Sequence, residues 1–146
     1  MTDWKTFAIE KLKDYEAKRQ ALESIPLEIA QVESTMTSIR SARADSTPVR
    51  GGGSGYEEKM LNCIVQRDEL QRCLGRTKLW ISGVERSLGI LNKEDRLVLD
   101  RFYIHPEKGA AERLSGELFI DIKSVYRRKD KALHRFTMAM YGGTES

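Results

Sequence analysis

Two long runs of side chains recur at alternating steps of three and four residues. The first is Leu22, Ile25, Ile29, Val32, Met36 and Ile39, extending back less regularly through Tyr15, Leu12 and Ala8. The second is Met60, Cys63, Arg67, Leu70, Leu74, Thr77, Ile81, Val84, Leu88 and Leu91. Such spacing keeps one face of an α-helix apolar and is the a/d seam of a coiled coil. At 1.5 Å per residue each helix spans roughly 50 Å. Two seams of that length cannot both face water, so the expectation is an antiparallel hairpin, packing against a second subunit, or both. Arg67 and Thr77 interrupt the second seam and are expected to reach outward to solvent. Gly75, Gly83 and Gly89 each weaken that helix by about 1 kcal/mol relative to alanine.

Pro26 falls inside the first seam, where it removes an amide donor and crowds the preceding turn. A kink or brief break is expected at Ser24-Ile25-Pro26, with Ser24 placed to cap a restarted helix. Between the seams lies Ala44 to Gly55, rich in glycine and carrying Pro48. Glycine loses much backbone freedom in a helix, and Pro48 disfavours helical geometry at Thr47, so this stretch reads as a flexible linker. Neither the dinucleotide-binding spacing nor the Gly-x4-Gly-Lys-Ser/Thr phosphate-loop pattern is met there.

The C-terminal part reads as shorter helices. Asn92 can cap a helix opening on Lys93-Glu94-Asp95, with Leu97, Val98, Phe102 and Tyr103 as its apolar face and Pro106 and Gly109 closing it. Ala111, Leu114 and Leu118 mark a short helix from Ala110 to Leu118, and Phe119 to Asp121 forms a tight connection. Asp121 is placed to cap the next helix by accepting an amide from Lys123 or Ser124. In that helix Val125, Ala132, Leu133, Phe136 and Met140 form one apolar seam, while Lys123, Arg127, Arg128, Lys131 and Arg135 project away from it. A short helix followed by a basic one is the layout of a helix-turn-helix, whose second helix enters the DNA major groove.

The net charge of the 146-residue chain is only +3, so the basic excess is local, as suits a groove-reading helix. No apolar run approaches the roughly 20 residues of a membrane span, and the start of the chain lacks the build of a secretory signal. Cys63 and Cys73 have no metal-ligand spacing and read as reduced thiols of a cytoplasmic protein. With two histidines, His105 and His134, and no paired-carboxylate or nucleophile–base pattern, neither catalysis, a metal nor a cofactor is expected. Trp4 and Trp80 read as packing residues.

Leu91 to Leu99, Ala111-Glu112-Arg113-Leu114, Val125-Tyr126-Arg127-Arg128 and Ala132-Leu133 resemble the region 4 helix-turn-helix of sigma factors. The chain as a whole, including Asp45 to Gly52 and Ala139-Met140-Tyr141-Gly142, resembles the phage-encoded ArpU/RinA-like regulators of late genes. That resemblance implies an all-α protein with a coiled-coil helical hairpin over residues 1–91 and a helix-turn-helix domain over 92–146. It implies base and phosphate contacts from Lys123, Ser124, Tyr126 and Arg127, with Arg128 and Lys131 on phosphate. Tyr126 departs from the pattern, which commonly has a charged or amide side chain there. The implied partners are double-stranded DNA, host RNA polymerase and further copies of the chain through the coiled coil, with no membrane. Two other readings of the same layout are a small terminase subunit that recognises packaging DNA and a protein-binding module that docks on RNA polymerase.

Overall fold

Phe136, Leu12, Leu99, Leu114, Val84, Val98 and Val125 are the largest apolar side chains withdrawn completely from solvent, and they come from five helical segments. The computed structural model describes residues 2–45 and 53–145. It is all-helical: α1 (Trp4–Asp45), α2 (Gly53–Ile90), α3 (Lys93–Leu99), α4 (Ala110–Leu118) and α5 (Ile122–Tyr141), with a π-helical turn at Asp100–Ile104 continuing α3. Among the described residues no helix is long and apolar enough to cross a membrane. They divide into two compact units, one of residues 2–18 with 80–145 and the other of the described residues within 19–79.

In the first unit, Ala8 and Leu12 of α1, Val84 of α2, Leu91 in the turn after it, Leu99 of α3, and Ala132, Leu133 and Phe136 of α5 form one buried cluster. A second cluster joins Val98, Ala111, Leu114 and Val125, so α3, α4 and the start of α5 share an apolar centre. The inner face of α5 is therefore held at two levels, and its opposite face is left to solvent. The ends of the described chain also meet. Trp4 stacks on Tyr141 with ring centroids 4.8 Å apart, and the Trp4 amide donates to the Thr144 carbonyl at 3.0 Å. Gly142, with φ of 73°, ends α5 in the left-handed conformation that glycine adopts without side-chain strain.

In the second unit, Val32 and Met36 of α1 pack with Met60 of α2, flanked by Ile39, Tyr56, Cys63, Ile64 and Leu70. The Arg43 guanidinium lies over the Tyr56 ring at 4.0 Å. The seam residues Ile25, Val32 and Met36 are buried as their spacing implies.

Several sequence expectations require correction. Helix α1 runs unbroken through Pro26. The Ser24 hydroxyl does not cap a new helix; it donates to the Gln20 carbonyl within the same one at 3.2 Å. Burial of Ile25 beside the proline supplies packing that offsets the lost amide bond. The linker is shorter than read: Ala44 and Asp45 belong to α1 and Gly53 to Gly55 to α2, while residues 46–52 lie outside the described ones. Extending an already nucleated helix fixes one residue at a time, which lowers the barrier even for glycine. Thr77 does not reach solvent but is buried, because a threonine at a seam position is too short to turn its hydroxyl outward.

Helix α2 also runs unbroken through its internal glycines, and a Cβ built at Gly75 or Gly83 would meet no atom within 4 Å. Gly75→Ala and Gly83→Ala should therefore each raise the unfolding free energy by about 1 kcal/mol, the difference in helix propensity. Urea denaturation checks this; loss of stability in either variant would show that the glycine is needed for close packing.

Candidate nucleic-acid interface

Helix α5 begins where its sequence says it should. Asp121 has extended backbone geometry, and its carboxylate accepts the Ser124 amide at 2.7 Å. The hydrogen bonds from the Ser124 side chain and amide hold the Asp121 carboxyl below its ordinary range against desolvation, with a still smaller lowering from the nearby Arg127 charge. The connection from α4 is equally defined. Phe119, with φ of 56°, closes α4 in the left-handed region, and the Ile120 amide donates back to the Ser115 carbonyl at 3.2 Å. The Ser115 hydroxyl donates to the Ile120 carbonyl at 2.5 Å. A left-handed conformation costs a side-chain-bearing residue about 1–2 kcal/mol, and these bonds hold the turn against that cost.

With Val125, Ala132, Leu133 and Phe136 turned inward, helical periodicity turns Lys123, Arg127 and Lys131 outward, and all three are exposed. Among the described residues none of these three forms an ion pair with a carboxylate. Ser124, Arg127, Arg128, Lys131 and Arg135 line a groove of about 400 Å³ whose opposite wall is Asn92, Glu94 and Asp95. Asn92 caps α3 as expected, its side-chain oxygen accepting the Asp95 amide at 2.8 Å.

The two arginines nearest that wall are paired across it. Arg128 bonds to Glu94, and Arg135 donates to Asp95 at 2.5 Å. The pairs differ in exposure: the Asp95 side chain is 4% exposed and the Glu94 side chain 57%. Asp95–Arg135 thus neutralises a buried charge and ties α3 to α5, whereas Glu94–Arg128 is an exchangeable surface contact.

Of the six residues expected to touch nucleic acid, Ser124, Arg127, Arg128 and Lys131 come together in this groove. Lys123 lies on the outward face beside it. Tyr126 points to another flank, where its ring is 5.8 Å from that of Phe102 and the Lys129 ammonium lies 5.2 Å from both. Sequence reasoning took Glu94 and Asp95 only as favourable residues of a helix first turn. Their partners lie 34 and 40 residues away, beyond the reach of any local spacing rule.

A separate polar cluster surrounds the π-helical turn. His105 bridges two carboxylates, with Nδ1 2.8 Å from Asp100 and Nε2 3.2 Å from Glu16. Arg101 contacts both Glu107 and Glu117, and Arg113 also pairs with Glu107. The hydrogen bond with Asp100 chiefly raises the His105 pKa above 6.5, with Glu16 adding a smaller effect and desolvation opposing both. A raised folded-state value stabilises the protein fully below the ordinary histidine pKa, and that contribution is lost as pH rises through the folded value. Proton NMR titration should find His105 titrating above 6.5, with Asp100→Asn lowering its midpoint more than Glu16→Gln. An unchanged midpoint in Asp100→Asn would exclude the bridge in solution. Among the described residues no group of three His, Cys, Asp or Glu side chains is placed to hold a metal ion.

No protein-family model, curated protein or solved structure matches this chain.

Proposed function

We propose that the protein is a DNA-binding transcriptional regulator of a phage or prophage, with α4 and α5 as a helix-turn-helix and α5 as the reader of the major groove. The observation that carries this reading is the division of α5 into a buried apolar face and an exposed basic face of Lys123, Arg127 and Lys131. Support comes from the Asp121 cap and the three-residue connection, which set the start of α5 beside α4. In this reading Arg127 is suited to bidentate contact with guanine, while Lys123, Ser124, Arg128 and Lys131 position the helix on phosphate. Tyr126, held on the Phe102 flank, contributes an edge contact.

The long helices α1 and α2 are proposed to form a coiled-coil hairpin that sets subunit number and the spacing of half-sites. Late-gene activation and contact with host RNA polymerase rest on the resemblance to ArpU/RinA-like regulators and to sigma region 4. Gel mobility shift at low salt on DNA upstream of the adjacent genes tests the reading. Retention that weakens steeply with added salt is expected; no retention at low salt, with capture of RNA polymerase instead, would replace it with the protein-docking alternative.

A further inference from the structure

The basic groove beside α5 already holds an anion. Glu94 sits on its α3 wall and bonds to Arg128, while Ser124, Arg127 and Lys131 line the same space. Asp95 on that wall is different in kind: it is buried, so Arg135 is committed to it. Glu94 is more than half exposed and can leave for water with little desolvation penalty. A DNA phosphate has the same charge and the same hydrogen-bonding acceptors as this carboxylate, and it would meet the same guanidinium. The two anions cannot share Arg128 without repelling each other.

We propose that Ser124, Arg128 and Lys131, beside the base-reading Arg127, form a seat for one backbone phosphate of duplex DNA, and that Glu94 is its resident competitor. Binding then exchanges one partner of Arg128 for another: the Glu94 carboxylate turns to solvent as the phosphate enters. The exchange lowers the net contribution of Arg128 on any duplex that places a phosphate in the groove, so Glu94 tempers the affinity of the chain for DNA. This inference rests on the DNA-binding reading above.

The test is a double-mutant cycle with the full chain on duplex DNA, using fluorescence anisotropy over a salt series. Glu94→Gln should tighten binding roughly two- to fivefold, the equivalent of an exposed ion pair. The number of phosphate contacts is the same in parent and variant, so the salt slope should change by less than one contact. In an Arg128→Ala background the same change should give no tightening, because the arginine it would release is absent. Equal tightening in both backgrounds would reveal a general charge effect and overturn the seat. No change in either background would overturn it as well. If the unsubstituted protein binds no duplex at low salt, the DNA reading itself fails and takes the inference with it. Thermal melts of the variants report folding independently of binding.

Discussion

Phe136→Ala is expected to lower the unfolding free energy by about 3–5 kcal/mol. The ring is fully buried, and the cluster around it gathers Ala8 and Leu12 from α1, Val84 from α2, Leu91 from the turn after α2, and Leu99 from α3. Removing it forfeits the transfer free energy of a large side chain and leaves a cavity lined by separate helices. These helices are held by their own backbone bonds and cannot all move inward to fill the space. A loss of this size is a large fraction of the roughly 5–15 kcal/mol that stabilises a typical domain. Urea unfolding followed by circular dichroism measures it, and a loss below about 1 kcal/mol would mean that Phe136 is not central to the packing. The basic face of α5 depends on the same ring, since Phe136 helps turn that face outward. If the proposed DNA binding holds, the variant should therefore lose that affinity through partial unfolding at temperatures where the parent protein is intact.

Lys123→Ala combined with Arg127→Ala is expected to act in the opposite way, leaving stability nearly unchanged and removing most specific DNA binding. Both side chains are exposed, and neither forms an ion pair among the described residues. A bidentate arginine–guanine contact is worth about 1–3 kcal/mol, and each lost phosphate contact reduces the salt slope by about 0.9. Together these give an affinity loss of roughly 10- to 500-fold. Anisotropy on the preferred duplex and on an unrelated one separates the two effects. Loss of the arginine contact narrows the gap between the duplexes, whereas loss of the lysine weakens both alike. Unchanged affinity and salt slope would remove α5 as the reading element.

The local features of the chain were legible because they depend on neighbours in sequence. Asn92 and Asp121 stand in cap positions, and each accepts the amide three residues on. The buried Val125, Ala132 and Phe136 follow the helical period, as do Ile25, Val32 and Met36. What stayed hidden involves distance or competition. Proline at position 26 carries a strong local penalty, but tertiary packing of the flanking seam prevails over it, so that of the expected kink or brief break the break is absent. Periodicity identified Ala8 and Leu12 as apolar positions yet could not say that they cluster with Phe136, more than a hundred residues away. The groove illustrates the same limit. Its basic wall was visible as a charge pattern on one helix, while the acidic wall that partly neutralises it comes from the first turn of another.

The most direct measurement of major-groove reading by α5 is methylation interference on the bound duplex. Guanine N7 lies in the major groove and is the acceptor a bidentate arginine uses, so methylation there should block binding at specific positions. Substituting Arg127 with Ala should abolish that interference at one or more of those guanines. Binding that is indifferent to N7 methylation, and is instead displaced by a minor-groove ligand, would contradict the placement of α5 in the major groove.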